Sequence, residues 1–147
     1  MTKEGIELIK SFEGCRLEAY KCQAGVWTIG YGHTQGVYEG KKISEEEAER
    51  LLASDLAKFE TGVRNILGVS ANGMRENKID ALVSLAFNIG LKAFQQSTLC
   101  RLVKADSEDK AIAKEFAKWV YAGGMKSKGL VRRRKAEAEM YFGGKVA

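Results

Sequence analysis

Behind Thr2, the apolar residues Ile6, Ile9 and Phe12 recur at intervals of three, which predicts a short amphipathic helix. It stops at Gly14 and leaves Glu13 as its last residue. From Leu17 to Ile43 that period is lost. Glycines at 25, 30, 32, 36 and 40 punctuate β-prone pieces, chief among them Val26-Trp27-Thr28-Ile29, so a hairpin or a three-stranded sheet is expected. Ser44-Glu45-Glu46-Glu47 has the form of a capping box, and Leu51, Leu52, Leu56 and Phe59 follow at helical spacing. A separate short helical piece is expected around Val63, Ile66 and Leu67. Ile79, Leu82, Val83, Leu85, Ala86 and Phe87 form a helix apolar on nearly every side, the core helix, ending at Asn88-Ile89-Gly90. Further helices are expected around Thr98 to Lys104, Ser107 to Val120 and Leu130 to Phe142, with loops at Gly123-Gly124 and Lys126 to Gly129. The pattern is α+β and helix-dominated. It reads as one domain over residues 1–147: a β lobe about 15–43, and a helical lobe about 44–147 on which the N-terminal helix packs.

Composition narrows the chemistry. The chain has 147 residues, 24 Lys and Arg against 19 Asp and Glu, a net charge of +5 and no proline. That balance favours an anionic partner, whether nucleic acid, a membrane surface or an anionic polysaccharide. With three cysteines, one histidine and neither CxxC nor HExxH spacing, zinc chemistry is not expected, and no metal or cofactor is called for. The odd thiol count fits a reducing compartment better than a disulfide framework. Lys3, Glu4, Glu7 and Lys10 leave no signal-type apolar stretch in Met1 to Phe12, and the longest apolar run, Ala81 to Phe87, is broken by Ser84. A soluble chain with no stable membrane insertion is expected. Arg132, Arg133, Arg134 and Lys135 read as a solvated helix surface. Three consecutive arginines on a helix point in different directions, so they form no groove-reading face and no nucleic-acid partner is expected.

Glu13 is the residue that position singles out. A carboxylate at a helix C-terminus opposes the helix dipole, which favours the protonated acid that a general acid must be. Cys22 and Thr28 say little alone, since a lone Cys is usually a small buried hydrophobe and a strand Thr reflects β-propensity. Together they sit in a longer string: Ser11-Phe12-Glu13-Gly14-Cys15-Arg16-Leu17, Ala19-Tyr20, then Gly25-Val26-Trp27-Thr28-Ile29-Gly30-Tyr31-Gly32-His33-Thr34. That string resembles the active-site region of phage-type lysozymes, the endolysins of glycoside hydrolase family 24. The resemblance continues through Ala86-Phe87-Asn88-Ile89-Gly90, Ser97-Thr98-Leu99, Ala122-Gly123-Gly124 and Gly129-Leu130 with Arg132-Arg133-Arg134 and Glu137.

The resemblance implies a lysozyme-like fold and a muramidase that cuts the β-1,4 bond between N-acetylmuramic acid and N-acetylglucosamine in peptidoglycan, lysing the host at phage release. The family's catalytic pattern is Glu, eight residues, Asp or Cys, five residues, Thr. Glu13, Cys22 and Thr28 satisfy it, with Cys22 where most relatives carry Asp. Two routes stay open for Cys22: a thiolate nucleophile with retention, or a weak acceptor that helps Thr28 place water with inversion, towards which the family leans. Tyr31, His33, Asn88 and Arg133 are the candidate substrate contacts. Each has a structural counterpart: hairpin packing for Tyr31 and Trp27, a hydrogen-bonded structural role for His33, a helix C-cap for Asn88, and an ion pair with Glu137 for Arg133. Alternatives are a lytic transglycosylase using Glu13 alone and a non-catalytic cell-wall-binding module. The expected partners are peptidoglycan glycan strands, reached by holin-dependent release of a monomer from host cytoplasm to periplasm. A regulatory disulfide between Cys15 and Cys22 is a further expectation, provided their Cα atoms come within roughly 7 Å.

Overall fold

The computed structural model describes residues 1–144. The chain divides into two compact units, one of residues 7–58 and one of residues 1–6 with the chain from 59 onward. These boundaries differ from those expected from the β-prone stretch alone, because the end of the first helix and much of the second go with the sheet.

In the unit of residues 7–58, helix α1 (Lys3–Glu13) ends where Gly14 takes a φ of 68°, a backbone state open to glycine and costly for residues with a Cβ. Strands β1 (Arg16–Lys21) and β2 (Trp27–Gly30) pair antiparallel. The ladder is irregular: β1 advances four positions from Arg16 to Tyr20 where β2 goes back two from Gly30 to Thr28. A third strand is present only as a trace, with Ala19 N–H donating to the Lys41 carbonyl at 2.9 Å and Ile43 N–H to the Leu17 carbonyl at 2.9 Å. Ile29, Ile43 and Ala48 form the small core of this unit, and Ala48 belongs to helix α2 (Glu45–Leu67). Ser44 caps α2 as expected, its hydroxyl accepting from the Glu47 amide at 3.1 Å.

The other unit is helical apart from one hairpin. The separate piece expected near Val63 does not exist, since α2 runs unbroken to Leu67. Gly62 is there for packing: a Cβ at that position would meet the Leu91 side chain, Cδ1 at 2.6 Å. Helix α3 (Glu76–Ile89) is the core helix, buried continuously from Ile79 to Ala86. Short helices α4 (Leu91–Gln96), α5 (Thr98–Lys104) and α6 (Asp109–Phe116) follow, and α7 (Lys128–Tyr141) packs against α3. Strands β3 (Tyr121–Ala122) and β4 (Met125–Lys126) form a hairpin where only loops were expected. Its two-residue turn is Gly123-Gly124, with φ of 58° and 80°, the positive pair that suits a hairpin's twist.

Thr2 fastens the start of α1 to α3: its amide and hydroxyl both donate to the buried Asp80 carboxylate, at 3.1 and 2.5 Å. Gly5 lies against the same side chain, where a Cβ would stand 2.6 Å from Asp80 Cγ. Gly→Ala inside a helix ordinarily stabilises by about 1 kcal/mol. Here the clash reverses the sign, and Gly5→Ala is expected to lower the urea midpoint instead of raising it.

Candidate active site

The hairpin turn positions Cys22. Its amide donates to the Val26 carbonyl at 3.0 Å, and the Gly25 amide donates back to the Cys22 carbonyl at 2.8 Å, closing the link between β1 and β2. Tyr20 stands opposite Thr28 in the ladder, and Cys22, two positions beyond Tyr20, projects to the same side. Hydrogen bonds from the backbone at Val26, then Ala24, hold the Cys22 thiol below the ordinary thiol range against the opposing effect of burial, and the Thr28 hydroxyl adds to them. Thr28 is buried, and its hydroxyl donates to the Val26 carbonyl at 2.9 Å. A hydroxyl has one proton to give, so rotation of that group shifts it between Val26 and an acceptor beside Cys22.

Glu13 is the last residue of α1, half-buried, and only Gly14 and Cys15 separate it from β1. Cys22 begins the turn at the far end of that strand. Strand β1, with its irregular ladder, connects the acid to the thiol along the chain. Cys15 directly precedes β1 and Cys22 directly follows it. Both are free thiols, as is the buried Cys100.

Beyond the two ends of the strand, the unit holds two polar clusters. Tyr31, half-buried, donates its hydroxyl to Glu49 Oε1 at 3.3 Å, and Lys10 Nζ donates to the same oxygen at 2.6 Å. The Lys10 ammonium stands 5.5 Å from the centre of the Tyr31 ring. Burial pushes the Tyr31 phenol above its ordinary value, and negative charge at Cys15 and Glu49 pushes the same way. His33 is held from both sides: Nδ1 lies 2.8 Å from Asp55 Oδ2 and Nε2 lies 2.9 Å from the Gln35 carbonyl. Its ring nitrogens bind the loop after β2 to α2, which is the structural alternative. Lys10, Glu49 and Asp55 escaped sequence reasoning because each lies on a charged helix face whose partner is many residues away, and no local spacing signals such pairs.

Asn88 and Arg133 belong to the other unit. Asn88 lies within the last turn of α3, exposed, and Gly90 is the C-cap instead. Its Oδ1 accepts from Arg134 Nη2 at 2.8 Å, which fixes the orientation of the amide. Arg133 departs from expectation more sharply. It is buried, with Nε 3.2 Å from Glu137 Oε2 and Nη2 3.2 Å from the Ser84 carbonyl. Arg134 is buried too, Nε 2.9 Å from Glu137 Oε1. The solvated basic surface thus loses two of its members to the α3–α7 core, and Arg133 makes the ion pair with Glu137 that was its structural counterpart. Burial pushes the Glu137 carboxyl upward while Arg134, the Ser84 hydroxyl and Arg133 pull it down. Among the described residues no three His, Cys, Asp or Glu side chains converge as a metal site.

Comparison with known proteins gives one consistent picture. Residues 10–137 match the family described as phage lysozyme. The chain is 44% identical over 147 residues to an endolysin of Bacillus phage B103, covering 98% of this chain and 54% of that one. It is 39% identical over 145 residues to an endolysin of Acyrthosiphon pisum secondary endosymbiont phage 1, covering 96% and 97% respectively. The chain thus spans about half the length of the Bacillus phage relative and nearly all of the other. Among solved structures it resembles the muramidase domain of SpmX from Asticaccaulis excentricus, with a TM-score of 0.85, 37% identity and 95% of each chain covered.

Proposed function

Since the chain belongs to the phage lysozyme family, we propose that it is an endolysin muramidase that hydrolyses the β-1,4 bond between N-acetylmuramic acid and N-acetylglucosamine. Its substrate is the glycan strand of peptidoglycan. Lysis of a bacterial host at phage release is its role, with holin-dependent passage of a monomer from the cytoplasm to the periplasmic wall. No described helix is long and apolar enough to cross a membrane.

The observation that carries the reading is the meeting of Cys22 and Thr28 across the hairpin turn, in the unit that also holds Glu13 at the end of α1. Glu13 donates its proton to the glycosidic oxygen, and the bond from the anomeric carbon to that oxygen breaks with its electron pair leaving on oxygen. The sugar carries oxocarbenium character as this happens. Water attacks the anomeric carbon and gives up a proton to the Cys22 sulfur, which main-chain amides have already biased towards thiolate. Thr28 orients that water with its hydroxyl. The family's lean towards inversion supports a water between sulfur and sugar over direct sulfur attack. Tyr31 and Asn88 serve as substrate contacts.

Cys22 provides the test. A turbidity assay on outer-membrane-permeabilised cells is expected to show Cys22→Asp lysing at a rate comparable to wild type, because a carboxylate accepts the same proton. Cys22→Ala should lose activity by the roughly 10² to 10⁴ characteristic of a general base. Full lysis by Cys22→Ala would remove the sulfur from the mechanism.

A further inference from the structure

We infer that the groove between α6, the β3–β4 hairpin and α7 binds a medium-chain fatty-acid anion. Its volume is ≈ 250 Å³, against the roughly 150 Å³ of an engineered apolar cavity that stays dry and takes up benzene. Phe116, Ala117, Val120, Val131 and Ala138 supply the apolar wall. Val131 is 37% exposed, a large apolar side chain left in the open on α7. Lys126 and Lys135 also line the groove, both exposed, and the lining contains no carboxylate. Among the described residues neither lysine makes an ion pair. Arg134 contributes to the floor, but its guanidinium is engaged by Glu137 and Asn88. The groove therefore offers an apolar body with two uncommitted cations beside it. That complements one flexible alkyl chain ending in a carboxylate, and opposes an alkylammonium of the same length.

The chain-length dependence follows from burial. Each methylene removed from water is worth about fourfold in affinity, so binding should climb at about that rate per carbon until the groove is full and then level off. Isothermal titration with hexanoate, octanoate and decanoate, all below their micellar concentrations, is expected to give one saturable site with this rise. Decylammonium should bind at least tenfold more weakly than decanoate. Ala117→Trp, which fills the groove from the exposed end of α6, and Lys126→Glu combined with Lys135→Glu should each weaken decanoate at least tenfold, with circular dichroism confirming the fold. Absence of saturable binding, equal binding of decylammonium, or undiminished binding by folded Ala117→Trp would overturn the assignment. So would a concentration-dependent dimer that Ala117→Trp abolishes, which would give the groove to a second copy of the chain.

Discussion

Glu13→Gln is expected to lower the rate of wall lysis by the ~10² to 10⁴ that general-acid catalysis contributes, or more, while leaving the folded protein intact. The amide has the size and shape of the acid but carries no proton that a departing alkoxide can take. Glu13 sits at the surface end of α1, half-buried, followed by a Gly14 that ends the helix whatever its neighbour. The change should therefore leave the urea midpoint within the small range of surface substitutions. A lysis rate set beside an unfolding curve for the same preparation separates the two. Loss of activity together with collapse of the fold would make Glu13 a structural residue, and undiminished lysis would make it a bystander.

Glu137→Ala is expected to have the largest effect on stability. Glu137 is fully buried between Arg133 and Arg134, and its Oε2 also accepts from the Ser84 hydroxyl at 2.5 Å. Removing the carboxylate takes from both guanidiniums the buried acid they share in the α3–α7 interface. Breaking a buried pair in this way costs about 3–5 kcal/mol, a large part of a domain's total stability. A fall in Tm on the order of 10 °C follows for a chain of this length. Glu137→Gln should recover little, because the amide nitrogen turns a like partial charge towards an arginine. Urea unfolding of the three proteins checks this, and a shift under ~1 kcal/mol would contradict the reading of this network as a core element.

Much of the architecture was legible because it rests on local signals. The period of Ile6, Ile9 and Phe12 and the glycine after Glu13 placed the end of α1 where it is found, and the apolar run from Ile79 to Ala86 marked the core helix. What escaped depends on partners distant in sequence. Gly62 resembles a helix breaker until Leu91 is known to pack on it. The paired glycines 123 and 124 read as a loop, since the strands they join are only two residues each and carry no alternating pattern. The arginine run looked like solvated charge because the burial of Arg133 and Arg134 is set by contacts with Ser84 and Asn88 of α3, far away in sequence. At the candidate site, spacing singled out Glu13, Cys22 and Thr28 through the resemblance to a family. The disulfide weighed for Cys15 and Cys22 had no such local signal, and both are free thiols at the two ends of β1.

Mass spectrometry of the fragments released from purified peptidoglycan tests the central claim most directly. Hydrolysis by Glu13 with an external water predicts fragments ending in a reducing N-acetylmuramic acid, each of which takes up borohydride. Fragments one water lighter, with 1,6-anhydro ends that resist borohydride, would show that the sugar's own hydroxyl attacked. In that case Cys22 and Thr28 have no water to place, and the mechanism assigned to them is wrong.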